Sequence, residues 1–186
     1  MSRAGFVLVG GTSSRMGQDK ALLVCQGATM AERTARIVRE AAGAAALVGP
    51  PQRYAHLGLP VIADLRPGCG PLGGILTALA STAADWNLIV ACDLPALSAD
   101  VLKTLIAAAE ASDADCLAPQ SSPGYLEPLC AVYHRRARDE IESALQAGVR
   151  KVHDALARLR VRAWDASGAA WLENRNSPED WPEQNG

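Results

Sequence analysis

The feature that most constrains this chain is a series of short, unbroken apolar runs, each stopped by glycine, proline or aspartate and followed by a stretch of helical periodicity. Gly5-Phe6-Val7-Leu8-Val9 ends in Gly10-Gly11, residues 45–48 end in Gly49-Pro50-Pro51, and residues 60–64 lead into a Gly/Pro-rich loop. Residues 88–92 are stopped by Asp93-Leu94-Pro95, and shorter runs follow at 115–118, 129–133 and 161–164. Such a run needs both faces covered, which a parallel sheet between helices provides. The intervening segments supply the helices. Thr29-Met30-Ala31-Glu32 has capping-box spacing, and Ile37, Val38, Ala41 and Ala42 then recur at helical intervals up to Gly43. Pro71 suits a first helical position ahead of the stripe Leu72, Ile75, Leu76 and Leu79, and Ser98 caps a helix through about residue 111. Further helices are predicted beyond Arg135 and from Val149. This alternation predicts an α/β fold with a mostly parallel sheet.

At 186 residues and 49% hydrophobic, the chain is expected to form one compact domain, 1–186, able to bury roughly 70% of its unfolded surface without disulfides. Eighteen basic residues against 20 acidic ones leave a formal net charge of −2, and no basic run provides a grip on a nucleic-acid backbone or a membrane surface. The five cysteines (Cys25, Cys69, Cys92, Cys116, Cys130) are odd in number and never spaced as CxxC, so they read as reduced thiols. Arg3 and the apolar residues after it imitate the start of an export signal, but Gly10-Gly11 interrupts them and charges follow at once. The longest apolar stretch, 41–51, is far below the ~20 residues of a membrane span. A soluble, cytoplasmic monomer without nucleic-acid or membrane partners is expected.

In such sheets the ligand lies beyond the carboxyl ends of the strands. The first of these loops, Gly10-Gly11-Thr12-Ser13-Ser14-Arg15-Met16-Gly17-Gln18-Asp19-Lys20, joins glycines that let backbone N–H groups approach a ligand with two fixed cations. Phosphate suits it better than the bland reading of a flexible turn. The glycine spacing, and a lysine neither preceded by Gly nor followed by Ser or Thr, exclude a Walker A loop. Asp93, directly after the most hydrophobic run, fits a Mg²⁺ ligand, because Mg²⁺ is usually held by one or two carboxylates plus substrate phosphates. Its alternative is a turn residue, and Asp64 has the same two readings. Gly68-Cys69-Gly70-Pro71-Leu72-Gly73 matches the dinucleotide fingerprint, with Asp93 at about the right distance, but Leu65-Arg66-Pro67 separates these glycines from their strand. The three histidines lack metal-ligand spacing, and no GxSxG supports a serine nucleophile. Trp164, Trp171 and Trp181 read as packing anchors, and Arg135, Arg136 and Arg138 as a solvated helix face. Asn174 and Asn176 precede Ser177-Pro178, which has the pattern of a helix cap.

The first loop, from Leu8-Val9-Gly10-Gly11 through Arg15-Met16-Gly17-Gln18-Asp19-Lys20-Ala21-Leu22-Leu23, closely resembles the signature of the molybdenum cofactor guanylyltransferases. Gly70-Pro71-Leu72-Gly73-Gly74-Ile75, Cys92-Asp93-Leu94-Pro95, Glu127-Pro128-Leu129 with Ala131-Val132-Tyr133, and Asn174-Arg175-Asn176-Ser177-Pro178-Glu179-Asp180 resemble that family's later motifs, in its order. The resemblance implies a Rossmann-like, nucleotide-diphospho-sugar transferase-like fold: a mostly parallel sheet with helices on both faces. It implies transfer of GMP from GTP to molybdenum-bearing molybdopterin, with release of pyrophosphate. By that likeness Leu8, Val9, Gly10, Gly11, Lys20, Asp64 and Asp93 bind the nucleotide, Arg15, Lys20 and Asp93 act in catalysis, and Asp93 holds Mg²⁺. Gly70, Gly74, Asn174 and Asn176 face the pterin.

Two positions depart from the pattern: Val9 replaces the usual alanine, and Val48-Gly49-Pro50 stands where the family often offers an asparagine to the nucleotide. Related cytidylyltransferases usually carry Ala-Gly for Gly10-Gly11 and proline for Asp19, so the chain sides with the guanylyl branch. The rival readings are a cytidylyl- or sugar-1-phosphate nucleotidyltransferase, an NAD-binding domain, and a non-catalytic cofactor-insertion chaperone. Delivery of the product to molybdenum enzymes or their chaperones stays open.

Overall fold

The computed structural model describes residues 1–10, 19–25 and 27–172. Its sheet contains β1 (Arg3–Leu8), β4 (Ala46–Val48), β5 (Val61–Ile62), β6 (Trp86–Ala91), β7 (Cys116–Ser122), β8 (Tyr125–Leu126), β9 (Cys130–His134) and β10 (Val161–Asp165). A two-stranded hairpin, β2 (Val24–Cys25) with β3 (Ala28–Thr29), stands apart. The helices are α1 (Met30–Ala42), α2 (Pro51–Tyr54), α3 (Gly70–Ala80), α4 (Ala99–Glu110), α5 (Ala137–Gln146) and α6 (Val152–Leu156). The strand order is β10-β7-β9-β6-β1-β4-β5, with β8 on β7. Neighbours along this order pair in parallel except around β9, which runs antiparallel to both β6 and β7, and β8 also pairs antiparallel with β7.

The layers follow from alternation along the strands. Val7, Leu88 and Val90 face a core shared with α1 and α4, whereas Phe6 and Ile89 face the core formed with α3, α5 and α6. The α1 capping box forms as its spacing predicts: Glu32 Oε2 accepts the Thr29 N–H at 2.8 Å, Thr29 Oγ1 accepts the Glu32 N–H at 3.2 Å, and Gly43 closes the helix in the left-handed region. Gly5 admits α1 close to β1, since a Cβ there would lie 2.3 Å from Val38 Cγ1 and 2.6 Å from the Ala44 carbonyl oxygen.

Several expectations are corrected. The strand predicted at 60–64 is only Val61–Ile62, because its sole partner, β4, ends at Val48 and the Gly49 N–H closes the ladder on the Ile62 carbonyl. The strand at 115–118 starts one residue later and extends to Ser122, since Pro119 and Gln120 pair with β10 although the segment is polar. The helix predicted from Val149 begins at Val152, and α2, β8 and the β2–β3 hairpin were not anticipated. Arg136 is no mere solvated side chain: it donates to the Asp115 carboxylate and to the carbonyls of Asp113 and Ala114, tying α5 to the start of β7. Trp164 and Trp171 pack on the core beside each other, as anchors should. Trp181 and the Ser177-Pro178 cap lie outside the described residues.

Candidate active site

From β1 the chain builds β4 and β5 on one side, then crosses to β6 on the other, so the strand order reverses beside β1. Where it reverses, the loops leaving neighbouring carboxyl ends diverge and open a crevice. Gly10 leaves β1, Gly49 and Pro50 leave β4, Asp64 follows β5 and Asp93 follows β6. Because β9 is antiparallel, its beginning reaches the same edge, where the Ala91 N–H donates to the Leu129 carbonyl at 2.6 Å. The Glu127 carboxylate there accepts the Ser121 hydroxyl at 2.7 Å.

The floor of the crevice depends on missing side chains. Gly10 has φ +91°, and a Cβ there would lie 2.8 Å from Pro50 Cδ. At Gly49 a Cβ would lie 2.7 Å from the Val9 carbonyl oxygen and 2.8 Å from Val9 Cγ2. Val9, one departure from the expected motif, therefore meets Gly49 of the other, Val48-Gly49-Pro50: the valine occupies the space into which a side chain at residue 49 would start.

Lys20 opens a 3₁₀ turn, Lys20–Leu22, capped by Asp19, whose Oδ1 accepts the Ala21 N–H at 3.1 Å. The other oxygen, Oδ2, accepts the hydroxyl of the fully buried Tyr54 at 2.6 Å, and Arg53 Nη1 stands 3.8 Å from it. Burial foremost, then the bond to Asp19 and its charge, raise the Tyr54 pKa and keep the phenol protonated. Burial, followed by the charges of Asp93 and Asp19, pushes the half-buried Cys92 thiol up to about 12, with Lys20 acting in the opposite sense. Cys92 is thus no nucleophile at neutral pH. It does report that Asp19, Lys20 and Asp93, from loops more than 70 residues apart, lie within electrostatic reach of one atom. Burial also raises the pKa of the half-buried Asp64 carboxyl.

A family model for the MobA-like NTP transferase domain matches residues 5–161. The chain belongs to the MobA-like NTP transferase family. This MobA-like chain shares 36% identity over 179 residues with a protein from Nostoc sp. named "Probable molybdenum cofactor guanylyltransferase", a match covering 94% of this chain and 86% of that one. A protein of the same name from Deinococcus radiodurans is 35% identical over 187 residues, covering 97% and 92%. Among solved structures, molybdopterin-guanine dinucleotide biosynthesis protein A from Archaeoglobus fulgidus is similar with a TM-score of 0.79 and 29% identity, over 95% of this chain and 94% of that one. The 2-C-methyl-D-erythritol 4-phosphate cytidylyltransferase from Thermus thermophilus, at 18% identity and a TM-score of 0.72 over 97% and 95%, shares the fold.

On this MobA-like fold Val9, Gly10, Lys20, Asp64 and Asp93 all lie at the carboxyl edge of the sheet or in the loops leaving it. Leu8 is turned the other way, onto α3: a Cβ at Gly74 would lie 3.1 Å from Leu8 Cδ2. Gly74 is therefore buried and packs α3 onto β1, while Gly70 is exposed at the start of that helix with open space around it. The loop between Asp64 and α3 is tied down by Thr77, whose Oγ1 accepts the Leu65 N–H at 3.0 Å and donates to the Gly73 carbonyl at 2.8 Å. Residues 63–67 separate β5 from Gly68, which removes the tight turn a dinucleotide fingerprint requires. Gly11, Arg15, Asn174 and Asn176 lie outside the described residues. Tyr54 was not singled out from the sequence, although Pro50-Pro51 marks a helix start; its partner stands 35 residues earlier, beyond any local pattern.

Proposed function

We propose that the protein transfers GMP from GTP to the terminal phosphate of molybdenum-bearing molybdopterin, releasing pyrophosphate and forming the guanine dinucleotide. The observation that carries this reading is the identity of 35–36% over nearly the whole chain to proteins named as probable molybdenum cofactor guanylyltransferases. A pterin phosphate oxygen attacks the α-phosphorus of GTP, the new O–P bond forms, and the bond from the α-phosphorus to the bridging oxygen breaks, so that pyrophosphate departs. A phosphate monoester is largely ionised at neutral pH, its second pKa being about 6, so the nucleophile needs no general base. Lys20, with Arg15 from the same loop, neutralises the phosphates, and positioning plus electrostatics supply most of the rate.

Among the described residues no group of three or more His, Cys, Asp and Glu side chains is placed to cage a metal. A half-buried carboxylate after β6 fits the Mg²⁺ chemistry of one or two protein oxygens completed by substrate phosphates. Asp93 would hold the ion, which when bound neutralises charge on the α-phosphate and on the departing pyrophosphate. Leu8, Val9, Gly10, Gly11 and Asp64 complete the nucleotide side by backbone approach and by shaping the crevice. Gly70, Asn174 and Asn176 serve the pterin, with Gly74 acting through the packing of α3. No helix among the described residues is long and apolar enough to cross a membrane. Cys69, Cys92, Cys116 and Cys130 are free thiols, which suits a reducing compartment such as the cytoplasm.

The test is pyrophosphate release with molybdopterin and each of the four nucleoside triphosphates. GTP alone should support turnover. Equal rates with CTP overturn the guanylyl assignment, and turnover with a sugar 1-phosphate in place of the pterin overturns the acceptor.

A further inference from the structure

Tyr54 is more than a core residue. It is fully buried, yet it ends in a hydroxyl that donates to a carboxylate at 2.6 Å, and packing alone would be served by phenylalanine. Its oxygen also stands 3.7 Å from the point where a Cβ of Gly10 would sit. One phenol therefore lies in the space a side chain at Gly10 would enter, where the chain leaves β1, and bonds Asp19, the residue before Lys20. Asp19 receives this bond on one oxygen while its other oxygen caps the turn that Lys20 opens, and Arg53, adjacent on α2, supports the same carboxylate. Asp19 thus has both oxygens engaged. The prolines at 50 and 51 start α2, and Gly49 lets β4 approach Val9, so the platform carrying Tyr54 is itself held against β1.

We propose that Tyr54 is the positioning residue for Lys20: through Asp19 it fixes the turn from which Lys20 meets the triphosphate. This rests on the reading of the crevice as a nucleotide site.

Tyr54→Phe removes one oxygen and keeps the ring, so the fold survives. A hydrogen bond to a charged group is among the stronger ones, and its loss should lower kcat/KM for GTP about tenfold. The change should appear in kcat as well as in KM, because Lys20 both binds the phosphates and neutralises the charge that develops on them. In a Lys20→Met background the same substitution should have no further effect on kcat/KM; additive effects overturn the proposal.

A second readout does not depend on turnover. The chain has three lysines, Lys20, Lys103 and Lys151, so reductive ¹³C-methylation of the full protein yields three lysine methyl signals. Lys20, assigned by its loss in Lys20→Arg, should shift in Tyr54→Phe and in Asp19→Ala, which removes the same link from the other end. A lower melting temperature with KM and the Lys20 signal in place makes the hydroxyl merely structural and overturns the proposal. A wild-type protein that is inactive with GTP, but whose Lys20 signal still moves in both variants, overturns the functional reading and upholds the positioning link.

Discussion

Gly10→Ala tests the close approach on which the crevice floor rests, and Gly43→Ala supplies its control. Both glycines adopt left-handed backbone, with φ of +91° and +86°, so each alanine carries a similar conformational penalty of about 1–2 kcal/mol. Their surroundings differ. A Cβ at Gly43 meets nothing within 4 Å, whereas at Gly10 it meets Pro50 Cδ at 2.8 Å. Pro50 cannot rotate away, because its ring is covalently part of the backbone that starts α2. Overpacking of this kind costs typically about 1–3 kcal/mol more. For a chain of this size each kcal/mol lowers Tm by roughly 2–4 °C, so Gly10→Ala should lose about 2–12 °C beyond the loss seen in Gly43→Ala. Thermal unfolding of both variants measures the difference, and calorimetry of GTP binding should show an affinity loss confined to Gly10→Ala. Equal Tm values and equal affinities in the two variants would mean that β1 and α2 do not meet at this glycine.

Asp93→Asn removes the charge without changing volume; pyrophosphate release should fall by orders of magnitude while circular dichroism stays unaltered, and near-normal kcat at saturating Mg²⁺ would make Asp93 a turn residue. Replacing Asn174 and Asn176 together by alanine should weaken molybdopterin binding by about 1–3 kcal/mol for each buried bond lost, leaving GTP affinity intact; lower thermal stability with both affinities preserved identifies a turn instead. Asp115 is held well below the usual carboxylate range, first by the hydrogen bond from Arg160 and, against some desolvation, also by that from Arg136. Its contribution is fully present above the ordinary aspartate value of about 4 and is lost as pH falls below it toward the depressed folded value. Asp115→Asn should therefore lower the urea midpoint at pH 7 but not near pH 1, and a wild-type advantage that survives at the lowest pH would refute the linkage.

What the sequence determined by itself is what short-range physics controls. Unbroken apolar runs such as 5–9 and 88–92 can only be strands covered on both faces, and the Thr29/Glu32 capping pair and Ser98 start helices through bonds that close within a few residues. Asp93 and Lys20 were legible as candidate site residues because one directly follows an apolar run and the other stands in the glycine-rich loop after the first run. The tertiary structure decided what depends on partners far along the chain. That β9 is antiparallel, that the polar end of β7 is a strand, and that β5 stops after two residues all follow from which neighbour is available to pair. Leu8 and Gly74 were expected from two separate motifs, on the nucleotide side and the pterin side, yet they pack on each other because alternation along β1 turns Leu8 toward α3. Tyr54 acquires its role only when α2 is laid against β1, since neither its burial nor its bond to Asp19 leaves any local trace in the residues around it.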